Sequence, residues 1–156
     1  MKSKIAILLI SSILMACSNS STKKAGETKV NPLVGTWKMF SSTLIEKGDT
    51  TNTEFSKDLS FIKIINDSHF AFMQHDLKKG KDTAAVYSSG GGTYTYDGTT
   101  YAEHLEYCSA REWEGHDFKF TMTFSGDTLI QKGTEIIESE GINRENTERY
   151  VKVKNN

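Results

Sequence analysis

The stretch GGGTYTYDGTTYAEHLEYC, residues 90–108, has the pattern of a β-hairpin. On both sides of Asp97-Gly98, aromatic residues alternate with small or polar ones, which is typical of two antiparallel strands joined by a tight turn. A two-residue turn at this dipeptide pairs Tyr94 with Tyr101 and leaves Glu103 opposite a glycine. One face of the hairpin then carries the residues that we expect inside the fold: Gly92, Tyr94, Tyr96, Tyr101, Glu103, Leu105 and Tyr107.

A carboxylate at Glu103 is the unusual feature of this inner face. A buried charge without a partner is too costly, so Glu103 must be paired, hydrogen-bonded or neutral. One interpretation is that it fixes the polar end of a ligand. The other is an internal network with tyrosine hydroxyls, a lysine or water. The three glycines at 90–92 lead into a strand and not into a helix, so they indicate a bulge or a sharp bend of the sheet and not a phosphate loop.

A second hairpin follows, with Gly126-Asp127 as a type II′ turn. In this register Phe124 opposes Leu129, and Met122 opposes Gln131. Gln131 is the one polar residue facing this stripe and is a second candidate for a ligand contact. The stripe itself is expected to fill the core: Phe118, Phe120, Met122 and Phe124.

The strand pair at 59–75 is apolar on both faces, so the pattern does not decide which face points inward. If the face of Phe70 points inward, Lys63 joins it and can pair with Glu103. If the other face points inward, His75 enters the interior instead.

Period-two alternation continues along the chain after residue 35 and predicts eight strands. Most connections are short, which favours a closed barrel over a sandwich with long crossing connections. Eight strands also leave an interior wide enough for one small ligand. The predicted fold is therefore an all-β, eight-stranded antiparallel up-and-down β-barrel, with strands at 35–45, 53–65, 69–77, 84–96, 99–109, 116–125, 128–136 and 147–154; the segment at 110–115 is a short helical turn or a loop.

The N-terminus has the anatomy of an export signal. Residues 1–16 combine two lysines with an apolar run that is too short to span a membrane. The signal ends in LMAC, which resembles the lipobox of bacterial lipoproteins and implies lipidation of Cys17. Residues 17–30 then form a lipidated flexible tether, and residues 31–156 form the barrel domain. The residue after the cysteine is Ser18 and not Asp, so retention in the inner membrane is not indicated. The expected location is the cell envelope, with a lipid anchor in the outer membrane and the barrel facing the periplasm.

The stretch NPLVGTWKM, residues 31–39, resembles the first signature of the lipocalin (calycin) superfamily, with Gly35 and Trp37 as its landmarks. Further blocks of the chain are similar to bacterial lipocalin-like lipoproteins. This resemblance implies that Trp37 is buried at the closed end of the barrel, under a basic residue of the last strand. Arg149 is the first candidate for that residue and Arg144 the second. The resemblance also implies binding of a small hydrophobic or amphipathic molecule.

Other kinds of chemistry find little support. The formal net charge is −1, and no basic run indicates a nucleic-acid partner. The four histidines lack the spacing of preorganised metal ligands, so no metal and no cofactor are expected. If the barrel resembles a relative that binds haem through one histidine, His75 is the residue to test as the ligand of the haem iron. If Cys17 carries lipid, Cys108 has no second cysteine with which to form an intramolecular disulfide. It is expected to be a small residue on a strand without a reactive role.

The predicted function is binding of a small, partly apolar ligand in the barrel. The candidate ligand-binding residues are Tyr94, Tyr101, Glu103, Tyr107, Gln131 and His75. Two alternatives stay open at this point. One is a ligand-free envelope interaction module with a barrel that is packed shut. The other is a barrel enzyme that uses Glu103 as an acid or base.

Overall fold

The computed structural model describes residues 30–55, 57–81, 83 and 85–154. The predicted signal, the predicted lipidation site Cys17 and most of the predicted tether lie outside these residues. Among the described residues, no helix has the length and apolar character needed to cross a membrane. Residues 31–156 form one compact unit, and it consists of strands joined mainly by turns.

Nine antiparallel strands form one sheet that closes on itself. The first strand pairs with the last along one edge. Along its other edge, the first half of the first strand pairs with the third strand, and the second half of the first strand pairs with the second strand. The second and third strands therefore share one position in the wall, and the predicted eight-stranded barrel is confirmed. The strands are β1 (Gly35–Glu46), β2 (Asp49–Glu54), β3 (Leu59–Ile65), β4 (His69–Asp76), β5 (Tyr87–Tyr96), β6 (Thr100–Cys108), β7 (Asp117–Ser125), β8 (Thr128–Ile137) and β9 (Ile142–Lys152).

The largest differences from the predicted strands are at two places. The strand expected at 53–65 is interrupted between β2 and β3, where Phe55 turns into the core and its N–H donates to the carbonyl of Phe40 at 2.9 Å. The last strand begins at Ile142, five residues before the expected start. The hairpin of β8 and β9 extends as far as the pair Ile137 and Ile142. Ile137 is buried and Ile142 packs against the core. The next inward residues of β9, Arg144 and Asn146, are polar, so hydrophobic alternation did not reveal this part of the strand.

The hairpin of β5 and β6 keeps its predicted faces in a different register. Tyr96 pairs with Tyr101, so the connection has two residues more than expected. A shift of two positions preserves which side chains point inward. Tyr101 and Glu103 are accordingly buried, and residues 111–113 form the short helical turn that the sequence allowed.

The predicted bulge at the triple glycine is confirmed, and it moves one candidate residue. The register shifts between Gly91 and Gly92, which pair with Tyr107 and Leu105. Beyond this shift the alternation of β6 inverts. Tyr107 is therefore 68% exposed, and its predicted place on the inner face is wrong. Cys108 borders the interior instead.

The second hairpin has the predicted register, with Phe124 opposite Leu129 and Met122 opposite Gln131. Gly126 has a positive φ of 59° and Asp127 does not, as a type II′ turn requires. The inward residues Phe118, Phe120 and Met122 are buried. Phe124 lies beyond the end of the core. It is 43% exposed, and its ring lies 6.1 Å from that of Trp37.

Trp37 closes one end of the barrel, but the basic residue above it is not the expected one. Trp37 is 3% exposed, and its indole N–H donates to the carbonyl of Leu33 at 2.7 Å. Lys152 pairs with Trp37 across β9 and β1, and its Nζ lies 5.2 Å from the indole centroid. The prediction of Arg149 for this role is wrong. Because side chains alternate between the two faces of a strand, Arg149 and Lys152 point to opposite faces of β9. Arg149 lies on the outer face, where it contacts Thr43. Arg144 lies farther along β9, over a different tryptophan.

Candidate functional site

A cavity of about 330 Å³ lies inside the barrel. Aromatic and aliphatic side chains of β3, β4, β6 and β7 form its apolar wall, and polar side chains come mainly from β8 and β9. The apolar wall includes Phe61, Phe72, Leu105, Trp113, Phe118 and Phe120. The polar wall includes Lys63, Glu103, Gln131, Glu135, Arg144, Asn146, Glu148 and Tyr150.

Lys63 is the centre of the first polar cluster. It is 4% exposed, and its ammonium group donates to a carboxylate oxygen of Glu103 and to Oε1 of Gln131, the latter at 2.8 Å. Its Nζ also lies 5.1 Å from the ring centroid of Phe70 and 4.9 Å from that of Tyr101. Both acceptors and both rings therefore compensate the loss of water around the buried ammonium group.

This cluster decides the question that the strand pair at 59–75 left open. Phe70 points inward and is buried, and Lys63 joins it and pairs with Glu103. His75 lies on the opposite face and is exposed. Its Nδ1 is 2.9 Å from the carbonyl oxygen of Asp76, outside the cavity. The alternative with His75 inside the barrel is therefore wrong.

Tyr101 lies beside this cluster and is fully buried. Burial, and next the charge of Glu103, raise the pKa of its hydroxyl far above the usual range. The hydroxyl group makes no hydrogen bond to any residue that the structure describes. Tyr101 is thus a protonated phenol that packs on the ring of Tyr94, 5.0 Å away.

Tyr94 has a structural position near the closed end. Its hydroxyl accepts a hydrogen bond from Nδ2 of Asn31 at 2.8 Å and donates to the carbonyl of Asn66 at 2.6 Å. The side chain thereby joins the segment before β1 to the turn between β3 and β4. It does not line the cavity, so the structure separates it from Glu103 and Gln131, which do.

Glu148 is the centre of the second polar cluster and faces Gln131 across β8 and β9. The hydroxyl of Tyr150 donates to its Oε2 at 2.6 Å, and Nδ2 of Asn146 donates to its Oε1 at 3.2 Å. Part of its surface stays accessible because the side chain borders the cavity. Deep burial in the barrel nevertheless raises the pKa of Glu148, and the nearby charge of Lys63 opposes this shift.

A third group of contacts surrounds Glu135, which also lines the cavity. Nε of Arg144 donates to Oε2 of Glu135 at 2.6 Å, and Nδ2 of Asn146 donates to the other oxygen of that carboxylate at 3.0 Å. The guanidinium carbon lies 4.5 Å from the ring centroid of Trp113. Cys108 borders the same region, and burial raises the pKa of its thiol.

The sequence pattern did not reveal the inner face of β9 as part of the site. Arg144, Asn146, Glu148 and Tyr150 follow one another at period two, but the residues between them are also polar or charged. This stretch of β9 therefore shows no alternation between apolar and polar residues that would distinguish its inner face from its outer face. The available signal was the pairing of β9 with the inward residues Leu129 and Gln131 of β8, because opposed residues share a face.

Within the described part of the chain, no three histidine, cysteine, aspartate or glutamate side chains come together in a way that could hold a metal ion. No family model, curated protein or solved structure matches this chain. The inference of function therefore depends on the barrel and its interior.

Proposed function

We propose that this chain binds a small, partly apolar molecule inside its barrel. The observation that carries the proposal is the cavity of about 330 Å³, with an aromatic wall on one side and charged and amide groups on the other. Known ligand pockets hold about 300–1,000 Å³ and combine an apolar lining with a few fixed polar groups. The cavity is at the small end of this range, so the expected ligand is smaller than a typical drug.

The polar groups favour a preformed binding site over a barrel that is packed shut. Lys63 holds Glu103 and Gln131 in fixed positions from two other strands. Tyr150 and Asn146 do the same for Glu148. Groups fixed in this way lose little conformational entropy when a ligand binds. The pairing of Glu103 with Lys63 also favours a binding role for this carboxylate over an acid–base role.

Native mass spectrometry of the full-length protein from its own host tests the proposal, with two matched variants. Ser88 lines the cavity, whereas Ser89 is its neighbour on the opposite face of β5. Ser88→Trp is expected to reduce the bound fraction of a co-purifying small molecule at least tenfold. Ser89→Trp adds the same side chain outside and is expected to leave binding unchanged. An empty wild-type barrel, or equal losses in the two variants, would contradict the proposal.

We also propose that the protein is anchored in the cell envelope by lipid on Cys17, with the barrel on the periplasmic side of the outer membrane. The support is the LMAC sequence at the end of the apolar N-terminal run. Two or more acyl chains give stable anchoring, whereas one gives marginal binding. Intact-mass analysis is expected to find a diacylglyceryl group on an N-terminal cysteine. Release of the protein from membranes by Cys17→Ser is the second expected result, and continued membrane retention of this variant would contradict the anchor.

A further inference from the structure

The interior of the barrel holds more carboxylates than cations. The carboxylates are Glu103, Glu135 and Glu148, and the cations are Lys63 and Arg144. Each cation has its own carboxylate, since Lys63 contacts Glu103 and Arg144 contacts Glu135. Among the described residues, Glu148 is hydrogen-bonded by neutral donors alone, the phenol of Tyr150 and the amide of Asn146. It is the surplus carboxylate of the cavity.

The walls near Glu148 suit an organic cation. Phe61 and Tyr150 line the cavity with their ring centroids 6.3 Å apart, and Phe72 stacks on Phe61 at 5.7 Å. Aromatic faces attract an ammonium group, and they pack against the apolar body that carries it. The structure already shows this preference inside the barrel, where the ammonium group of Lys63 lies over two rings.

An anionic ligand fits the same cavity less well. The ammonium group of Lys63 already serves two acceptors, and the Nε of Arg144 serves Glu135. Because Glu103 and Glu135 already neutralise both cations, a carboxylate or phosphate ligand would add a further negative charge to an interior that already holds Glu148 in excess. Like charges in a site of low dielectric repel strongly. A neutral ligand would leave the surplus carboxylate without a counter-charge.

We propose that the barrel selects a small organic amine, whose ammonium group binds Glu148 and whose apolar body packs against Phe61 and Phe72. This inference depends on the proposed ligand-binding function and adds to it the class of ligand. Glu148 is the specificity-determining residue, and Tyr150 and Asn146 position its two oxygens.

Calorimetric titration of the full-length protein with three probes of one framework tests the inference. Tryptamine is cationic, tryptophol is neutral and indole-3-propionate is anionic, and all three carry the same indole group. We expect tryptamine to bind at least tenfold more tightly than tryptophol, and indole-3-propionate to bind more weakly than both. Glu148→Gln keeps the size of the side chain and is expected to weaken tryptamine at least tenfold while changing tryptophol less than about twofold.

Two further variants make the assignment specific. Glu145→Gln removes a carboxylate on the outer face of the same strand, where it pairs with Lys132, and is expected to leave all three affinities unchanged. Loss of tryptamine selectivity in Glu135→Gln, with selectivity intact in Glu148→Gln, would overturn the assignment to Glu148. Circular dichroism checks that each variant remains folded.

The outcomes separate this inference from the function on which it depends. Equal binding of all three probes would overturn the selection of amines and leave the ligand-binding barrel standing. Tight binding of the anionic probe would do the same. If no probe binds but the native protein carries a molecule that Ser88→Trp expels, the amine inference is also overturned. An empty barrel that binds none of the probes would overturn both.

Discussion

Replacement of Lys63 by methionine probes the polar centre of the barrel. Methionine keeps the length of the side chain and removes its charge, so Glu103 stays buried at 8% exposure without a counter-charge. Gln131 also loses the donor to its Oε1. Breaking a buried ion pair from one side typically costs about 3–5 kcal/mol. We therefore expect Lys63→Met to lower the free energy of unfolding by about 3–5 kcal/mol at neutral pH, measured by urea denaturation with the m-value monitored.

Two controls identify the cause of this loss. Lys119→Met makes the same change on the exposed face of β7 and is expected to cost less than about 0.5 kcal/mol. The double variant Lys63→Met, Glu103→Leu removes both charges and is expected to recover most of the stability, because apolar replacement of a whole buried pair is often neutral. A cost below about 1 kcal/mol for the single variant, or no recovery in the double variant, would refute the reasoning.

Three further predictions concern single groups. Burial raises the pKa of Glu148 above its ordinary 4.5, so the stability that its proton contributes is present below about pH 4.5 and is lost as the pH rises through the folded-state pKa. In this window the unfolding free energy of Glu148→Gln, relative to that of the wild type, should therefore increase with pH. A difference that does not change with pH in urea titrations would contradict this prediction. Backbone N–H donors of the loop after β4 lower the pKa of Asp76 below its ordinary 3.8, so Asp76→Asn should lower the Tm at neutral pH and not at a pH below the folded-state pKa, as followed by circular dichroism. Lys152→Met should lower the free energy of unfolding by about 0.5–1 kcal/mol and change the fluorescence emission of Trp37. Arg149→Met should leave that emission unchanged. The reverse result would restore Arg149 as the residue above the tryptophan.

The sequence predicted the fold because its turns and its two aromatic hairpins carry strong local signals. Asp97-Gly98 and Gly126-Asp127 fixed which residues of four strands share a face. The predicted register at the first turn was wrong by two positions. The predicted inner and outer faces were still correct on most of the hairpin, since a shift of two positions keeps each side chain on its face. The triple glycine also indicated a bulge. Its effect on Tyr107 was not predictable, because the position of the extra residue depends on tertiary pairing and not on composition.

The site was predictable where polar residues interrupt an apolar stripe and hidden where they do not. Glu103 and Gln131 stood out against aromatic neighbours, and both line the cavity. Lys63 was foreseen only as one of two alternatives, since β3 and β4 are apolar on both faces. Glu148 was missed because β9 is polar on both faces, so no pattern of burial distinguishes its inner side. Only the closure of β9 on β1 and β8 brings that side into the barrel.

A crystal structure of the full-length protein purified from its own host would show whether the barrel interior is a ligand site. We expect a discrete small molecule in the cavity of about 330 Å³, with its polar end within hydrogen-bonding distance of Glu148 and its apolar part against Phe61 and Phe72. Side chains that close this space, or water molecules alone along Lys63, Gln131 and Glu148, would contradict it.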